Sequence, residues 1–118
     1  MSGEPQVFNK QHLADSLGLD DTELLAEILV TFLDDMPDQL VTLETALAQS
    51  EWELVERIAH TIKGASATIG AEQMRDAAWN IESPFKHHIS DPDLPSKLEV
   101  LKNLFITTQA TINPLVGR

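Results

Sequence analysis

The chain has 118 residues with 19 acidic against 8 basic side chains, a formal net charge of −11 at pH 7, and no cysteine. That length suits one domain with enough burial for a core, while the acidity excludes nucleic acid and anionic membrane as partners, since both need a basic face. The lack of cysteine excludes disulfides, thiolate catalysis and cysteine zinc sites, and no segment approaches the roughly 20 apolar residues of a membrane span.

Helical periodicity runs through the whole sequence, with no sustained alternation of period two. A short helical segment from Phe8 to Leu17 comes first, ended by Gly18. Asp20 or Asp21 then caps a long helix reaching about Gln49, with Glu23 in its first turn and Leu25, Ile28, Phe32, Met36, Leu40, Leu43 and Leu47 on its apolar stripe. Pro37 lies inside it, which predicts a kink or two abutting helices, because an interior proline removes a backbone donor and crowds the preceding turn. Ser50 is the expected cap of the next helix, with Glu53 at the capping-box position, and Gly70 supplies the left-handed residue that ends it. A helix from Ala71 to about Ile81 follows, with Met74, Ala77, Ala78 and Ile81 inward, and the Ser83-Pro84 step ends it. The tract Asp91-Pro92-Asp93-Leu94-Pro95 opens a last helix carrying Leu98, Leu101, Phe105, Ile112 and Leu115 at helical spacing. Four amphipathic helices with short connections predict an all-α fold, an antiparallel up-down four-helix bundle with the N-terminal segment as a lid.

One histidine points away from every candidate core stripe. At about 100° per residue, Val55, Ile58, Ile62, Ala65 and Ile69 share one side of their helix and His60 lies opposite, in water. Its face also carries Glu53, Glu56, Arg57, Lys63, Gly64 and Ala67. A solvent-facing imidazole titrates near neutrality, so its neutral form offers a nucleophilic nitrogen at physiological pH. Lys63, one turn on, can hold the negative charge of a phosphoryl group beside that nitrogen. A helix-interior glycine costs about 1 kcal/mol relative to alanine, and Gly64 lies where a side chain would obstruct an approaching macromolecule. The chemistry suited to this face is acceptance and donation of a phosphoryl group on imidazole.

The stretch His60, Lys63, Gly64, Ala65, Ser66, Ala67, Ile69, Gly70 resembles the signature of the histidine-containing phosphotransfer (HPt) domains of phosphorelays, His-x-x-Lys-Gly followed by small residues, a hydrophobic residue and Gly. In outline the resemblance covers residues 8 to 115, with Phe32 to Pro37 and Leu43 to Leu47 similar to the family's second helix and Ala71 to Glu82 to its fourth. It implies the same helical bundle and a phosphorelay intermediate of two-component signalling. In that role His60 is nucleophile and carrier, Lys63 stabilises the phosphoryl group and Gly64 gives clearance. The implied partners are the receiver domains of a hybrid sensor histidine kinase and of a response regulator. The chain itself is then a cytoplasmic monomer without a cofactor, and the magnesium ion belongs to the receiver.

Other readings compete. A self-phosphorylating kinase fragment lacks a glycine-rich phosphate loop and the length for a catalytic domain. A noncatalytic helical adaptor would act equally well without His60. A hydrolase would need an orienting group, and on His60's own face only Glu56 qualifies, which reads as a solvated charge. Lys86-His87-His88 reads as polar loop, since adjacent helical histidines diverge by about 100° and no further ligand lies at matched spacing. The first residues, Met1 to Gln6, lack the character of a signal peptide, and Met1 and the tail from Pro114 to Arg118 are read as those of a free-standing chain. Receivers present an acidic pocket, so an acidic chain needs local help: Arg57 and Lys63 offset the charge, and apolar contact supplies docking energy. The segment from Leu24 to Leu33 holds more apolar positions than one stripe requires. A docking patch drawn from Leu24, Leu29 or Leu33, with Ala67 and the bare backbone at Gly64, is the expectation; the alternative is burial of that stripe beneath the N-terminal segment.

Overall fold

The computed structural model describes residues 3–17 and 22–118; Gly18, Asp20 and Asp21, the expected stop and caps, lie outside them. The helices are α1 (Lys10–Leu17), α2 (Thr22–Ala48), α3 (Trp52–Ile69), α4 (Glu72–Lys86) and α5 (Leu94–Ile112), followed by a 3-10 turn at Asn113–Val116. The four long helices close into a bundle: α2 packs on α3, α3 most extensively on α4, α4 on α5, and α5 returns to α2. Its core draws on every helix, through Leu13, Met36, Leu43, Ile62, Met74, Ile81, Leu101 and Ile112.

Both interior prolines are tolerated. α2 is a single helix through Pro37, which is exposed, while Met36 and Leu40 beside it are buried. Packing on both sides thus outweighs one lost backbone hydrogen bond, and two abutting helices are not what forms. α4 likewise continues five residues past Ile81, through Ser83 and Pro84 to Lys86. Pro84 cannot donate to the carbonyl of Asn80, four residues back, and the Lys97 ammonium of α5 donates to that oxygen instead, at 3.1 Å.

The helix ends share one solution. Gly70 has φ 85°, and the bonds Ala71 N–H to Ser66 O (2.9 Å) and Gly70 N–H to Ala67 O (3.3 Å) form a Schellman motif. Ser50 (φ 56°) and His88 (φ 55°) hold the same left-handed position after α2 and α4. Ser50 therefore ends α2 and does not cap α3: Glu51 N–H bonds Ala46 O at 2.9 Å, and Glu51 is the N-cap residue of α3, without a side-chain cap bond. Leu115 lies beyond α5 in the 3-10 turn and is 46% exposed, outside the core assigned to it.

The N-terminal segment fastens onto the α3–α4 corner. Asn9 N–H donates to Gly70 O (2.8 Å), Gln73 N–H to Gln6 O (3.0 Å) and Gln6 N–H to a Glu72 carboxylate oxygen (2.9 Å). The fit is close, because a Cβ at Gly70 would stand 2.4 Å from Asn9 O.

Candidate functional site

α3 turns its apolar side, Val55, Ala59, Ile62 and Ile69, into the bundle, and this places His60 outward with its side chain 62% exposed. The ring is nonetheless held. Its Nδ1 lies 2.7 Å from Oε2 of Glu82, a residue of α4 whose side chain is fully buried. Glu82 follows Ala78 by one turn on the inward side of α4, so the packing that buries Met74, Ala78 and Ile81 carries a carboxylate beneath the imidazole. The other carboxylate oxygen, Oε1, lies 2.8 Å from the Lys63 ammonium, which also sits 4.8 Å from the centre of the Trp79 ring. Lys86 at the end of α4 reaches the same carboxylate at 3.5 Å and bonds Glu56 of α3 at 3.2 Å.

These contacts settle protonation. Burial pushes the Glu82 carboxyl up, but the hydrogen bonds from Lys63 and His60 outweigh it and hold the group below its ordinary range. At neutral pH Glu82 is therefore an anion that can only accept. His60 donates to it from Nδ1–H, so in the neutral ring the lone pair is the one on Nε2. The Lys86 ammonium is held above its ordinary range, chiefly by its hydrogen bond to Glu56.

The residues singled out in the sequence divide on structure. Gly64 is exposed, and a Cβ built there meets nothing within 4 Å. Arg57 is exposed and lines a cleft with Glu53, Glu56, His60 and Lys86. Ala67 is half-buried, and its carbonyl oxygen lies 3.1 Å from His12 Nε2 of α1. Leu24 is 38% exposed, but Leu29 and Leu33 are 5% and 2% exposed and belong to the core, so neither can form a docking patch. The apolar surface next to Gly64 is a shallow groove between α2 and α3, lined by Ile28, Thr31, Phe32, Asp35, Ala65 and Thr68 among others. Glu56 is also corrected: it is the hydrogen-bonded partner of Lys86, not a solvated charge.

Glu82 is the residue that sequence reasoning missed. Its signal was present, a lone carboxylate in register with Met74 and Ala78 on an apolar stripe, yet only the pairing of α4 with α3 shows what it meets. Lys86 lies within α4 and joins this cluster, whereas His87 donates from Nδ1 to Ser83 O at 2.9 Å. Among the described residues no three His, Asp or Glu side chains are gathered to hold a metal ion, and no helix is long and apolar enough to cross a membrane.

Comparison with known proteins shows the family and the fold. The sequence model of the Hpt domain matches residues 27–111. Two solved structures share the fold at 20% identity. One is histidine-containing phosphotransfer protein B (HptB) from Pseudomonas aeruginosa PAO1, with a TM-score of 0.85 over 98% of each chain. The other is the HPT domain of the Hpt sensor hybrid histidine kinase from Shewanella, with a TM-score of 0.73 over 94% of this chain and 97% of that one. No curated protein matches the sequence significantly.

Proposed function

The chain belongs to the Hpt domain family of phosphotransfer carriers and is a phosphorelay intermediate of two-component signalling, and from that premise we propose that His60 is its phosphoryl acceptor and donor. The observation that carries this is an exposed imidazole whose inner nitrogen is fixed by a buried carboxylate. The lone pair of Nε2 attacks the phosphorus of a receiver's aspartyl phosphate. An N–P bond forms, the acyl P–O bond breaks, and the receiver's aspartate is released as carboxylate. The ring becomes a phosphorylated imidazolium that keeps its Nδ1 proton, and Glu82 balances the new charge at 2.7 Å. A second receiver's aspartate then takes the phosphoryl group by the reverse displacement.

Glu82 acts through His60 as a positioning residue, and Lys63 holds Glu82 from its other oxygen. The open space at Gly64 admits the receiver. The donor and acceptor are receiver domains of a hybrid sensor histidine kinase and of a response regulator, which bring the magnesium ion and the carboxylates around it. The α2–α3 groove beside Gly64 supplies apolar contact for docking, and Lys63, Lys86 and Arg57 offset Glu53, Glu56 and Glu82, so an otherwise acidic chain is locally near neutral at the site. This reading makes the chain a cytoplasmic, monomeric carrier with no nucleotide site and no cofactor of its own.

Incubation with a phosphorylated receiver domain is expected to place acid-labile, base-stable phosphate on the protein, and His60→Gln to abolish it with the helical content unchanged. Persistent labelling of the variant removes the assignment. Labelling from ATP alone points to a kinase, and unchanged signalling by His60→Gln points to an adaptor.

A further inference from the structure

The family signature directs attention to Lys63 as the cation that meets the phosphoryl group, but the geometry points to Arg57: we infer that its guanidinium contacts the phosphoryl oxygens during transfer, while Lys63 serves the buried carboxylate. This rests on His60 as the acceptor. The Lys63 ammonium is already engaged, 2.8 Å from Glu82 Oε1 and 4.8 Å from the Trp79 ring, and its side chain is only 27% exposed. Lys86 is engaged as well, with Glu56 and Glu82. Among the described residues the Arg57 guanidinium has neither an ion pair nor a hydrogen bond, in a chain with more than twice as many acids as bases.

Direction gives the second argument. At about 100° per residue, Lys63 and Glu56 fall about 60° and 40° to one side of His60, and Arg57 and Gly64 fall equally far to the other. The Lys63 side faces α4, as the pairs with Glu82 and Lys86 show. The opposite side faces α2, since Thr61 and Thr68 line the α2–α3 groove. Nδ1 is held toward α4, so Nε2, across the ring, is directed away from it, over the half of the face that carries Arg57 and Gly64. Arg57 already shares a cleft with His60. A planar guanidinium can place two parallel N–H donors on two phosphoryl oxygens, and the transferring group concentrates its charge on those oxygens.

The test is single-turnover transfer from a phosphorylated receiver domain that labels the wild-type protein, measured over a range of receiver concentrations. Arg57 is exposed, so its substitution leaves the fold intact. At saturating receiver, Arg57→Ala is expected to slow transfer by about tenfold or more, with the half-saturating concentration within about twofold of wild type and partial recovery in Arg57→Lys. The loss in Lys63→Ala is expected to be smaller. A change in half-saturation alone makes Arg57 a docking contact and overturns the inference, as does an equal or larger loss in Lys63→Ala. His60→Gln is run beside them. If it still takes label, the acceptor assignment and the role of Arg57 fall together, whereas loss of label there with full speed in Arg57→Ala removes only the latter.

Discussion

The two sides of the bundle use the same kind of contact to different effect. Along the α2–α5 side, Lys102 bonds Glu44 at 2.8 Å and Arg118 bonds Asp34 at 2.8 Å, with both carboxylates more than half exposed. On the α3–α4 side, Lys63 meets Glu82 at the same 2.8 Å, but that carboxylate is fully buried and also holds His60 and Lys86. Distance does not rank these pairs. Water screens and competes with the exposed ones, whereas a buried carboxylate stays ionised only through its neighbours and in turn dictates where their protons sit.

The sharpest break in that contrast comes from the corner on which the α3–α4 side is built. Gly70→Ala forces a side chain to φ 85° and into Asn9 O, 2.4 Å away, and is expected to cost about 2–3 kcal/mol in chemical denaturation. A loss below about 0.5 kcal/mol would mean that the N-terminal segment yields freely. Glu82→Gln keeps the shape but offers only one carbonyl oxygen to donors on both sides. Stability is expected to fall by about 1–2 kcal/mol and transfer by about tenfold as the ring loses its fixed tautomer.

The pH dependence of that variant sharpens the point. Because the folded protein holds the Glu82 carboxyl below its ordinary value of 4.5, the stabilisation is fully present above that pH and is lost as pH falls through the folded value. The stability gap between wild type and Glu82→Gln should therefore be present above the ordinary carboxylate value and should shrink as pH falls through the folded one. A gap unchanged in acid would show that Glu82 acts through shape alone. Gly64→Ala, on the same face but in open space, should reverse the sign seen at Gly70 and stabilise by up to about 1 kcal/mol, whereas Gly64→Gln should also slow transfer by obstructing the receiver. The smallest effects belong to the other side: Glu44→Gln and Asp34→Asn are expected to leave both the denaturation midpoint and the transfer rate unmoved, and a clear loss in either would undo the contrast.

Much of this could be read from residue spacing, because helical faces are local. The outward angle of His60, the openness at Gly64 and the left-handed end at Gly70 all depend on residues a turn or two away. The readings that failed needed a second helix. Glu82 is unexceptional until α4 is laid against α3, and Leu29 and Leu33 read as surplus apolar positions until the bundle encloses them. Pro84 reads as a stop until Lys97 of α5 takes up the carbonyl it frees. Ser50 has the chemistry of an N-cap, but with only three residues between α2 and α3 the turn requires it as the left-handed end of the preceding helix.

The fastening of the N-terminal segment bears on the order in which the molecule assembles. Its side-chain-mediated contacts join residues 55 to 68 positions apart, from His12 with Ala67 to Gln73 with Pro5. During synthesis this segment leaves the ribosome before α3 and α4, so its partners at Ala67, Gly70, Glu72 and Gln73 do not exist until the α3–α4 corner has been made. Closing so long a loop before the corner is formed would cost entropy with no contact in return. This segment, made before the rest of the bundle, thus waits for the α3–α4 corner to give it a place.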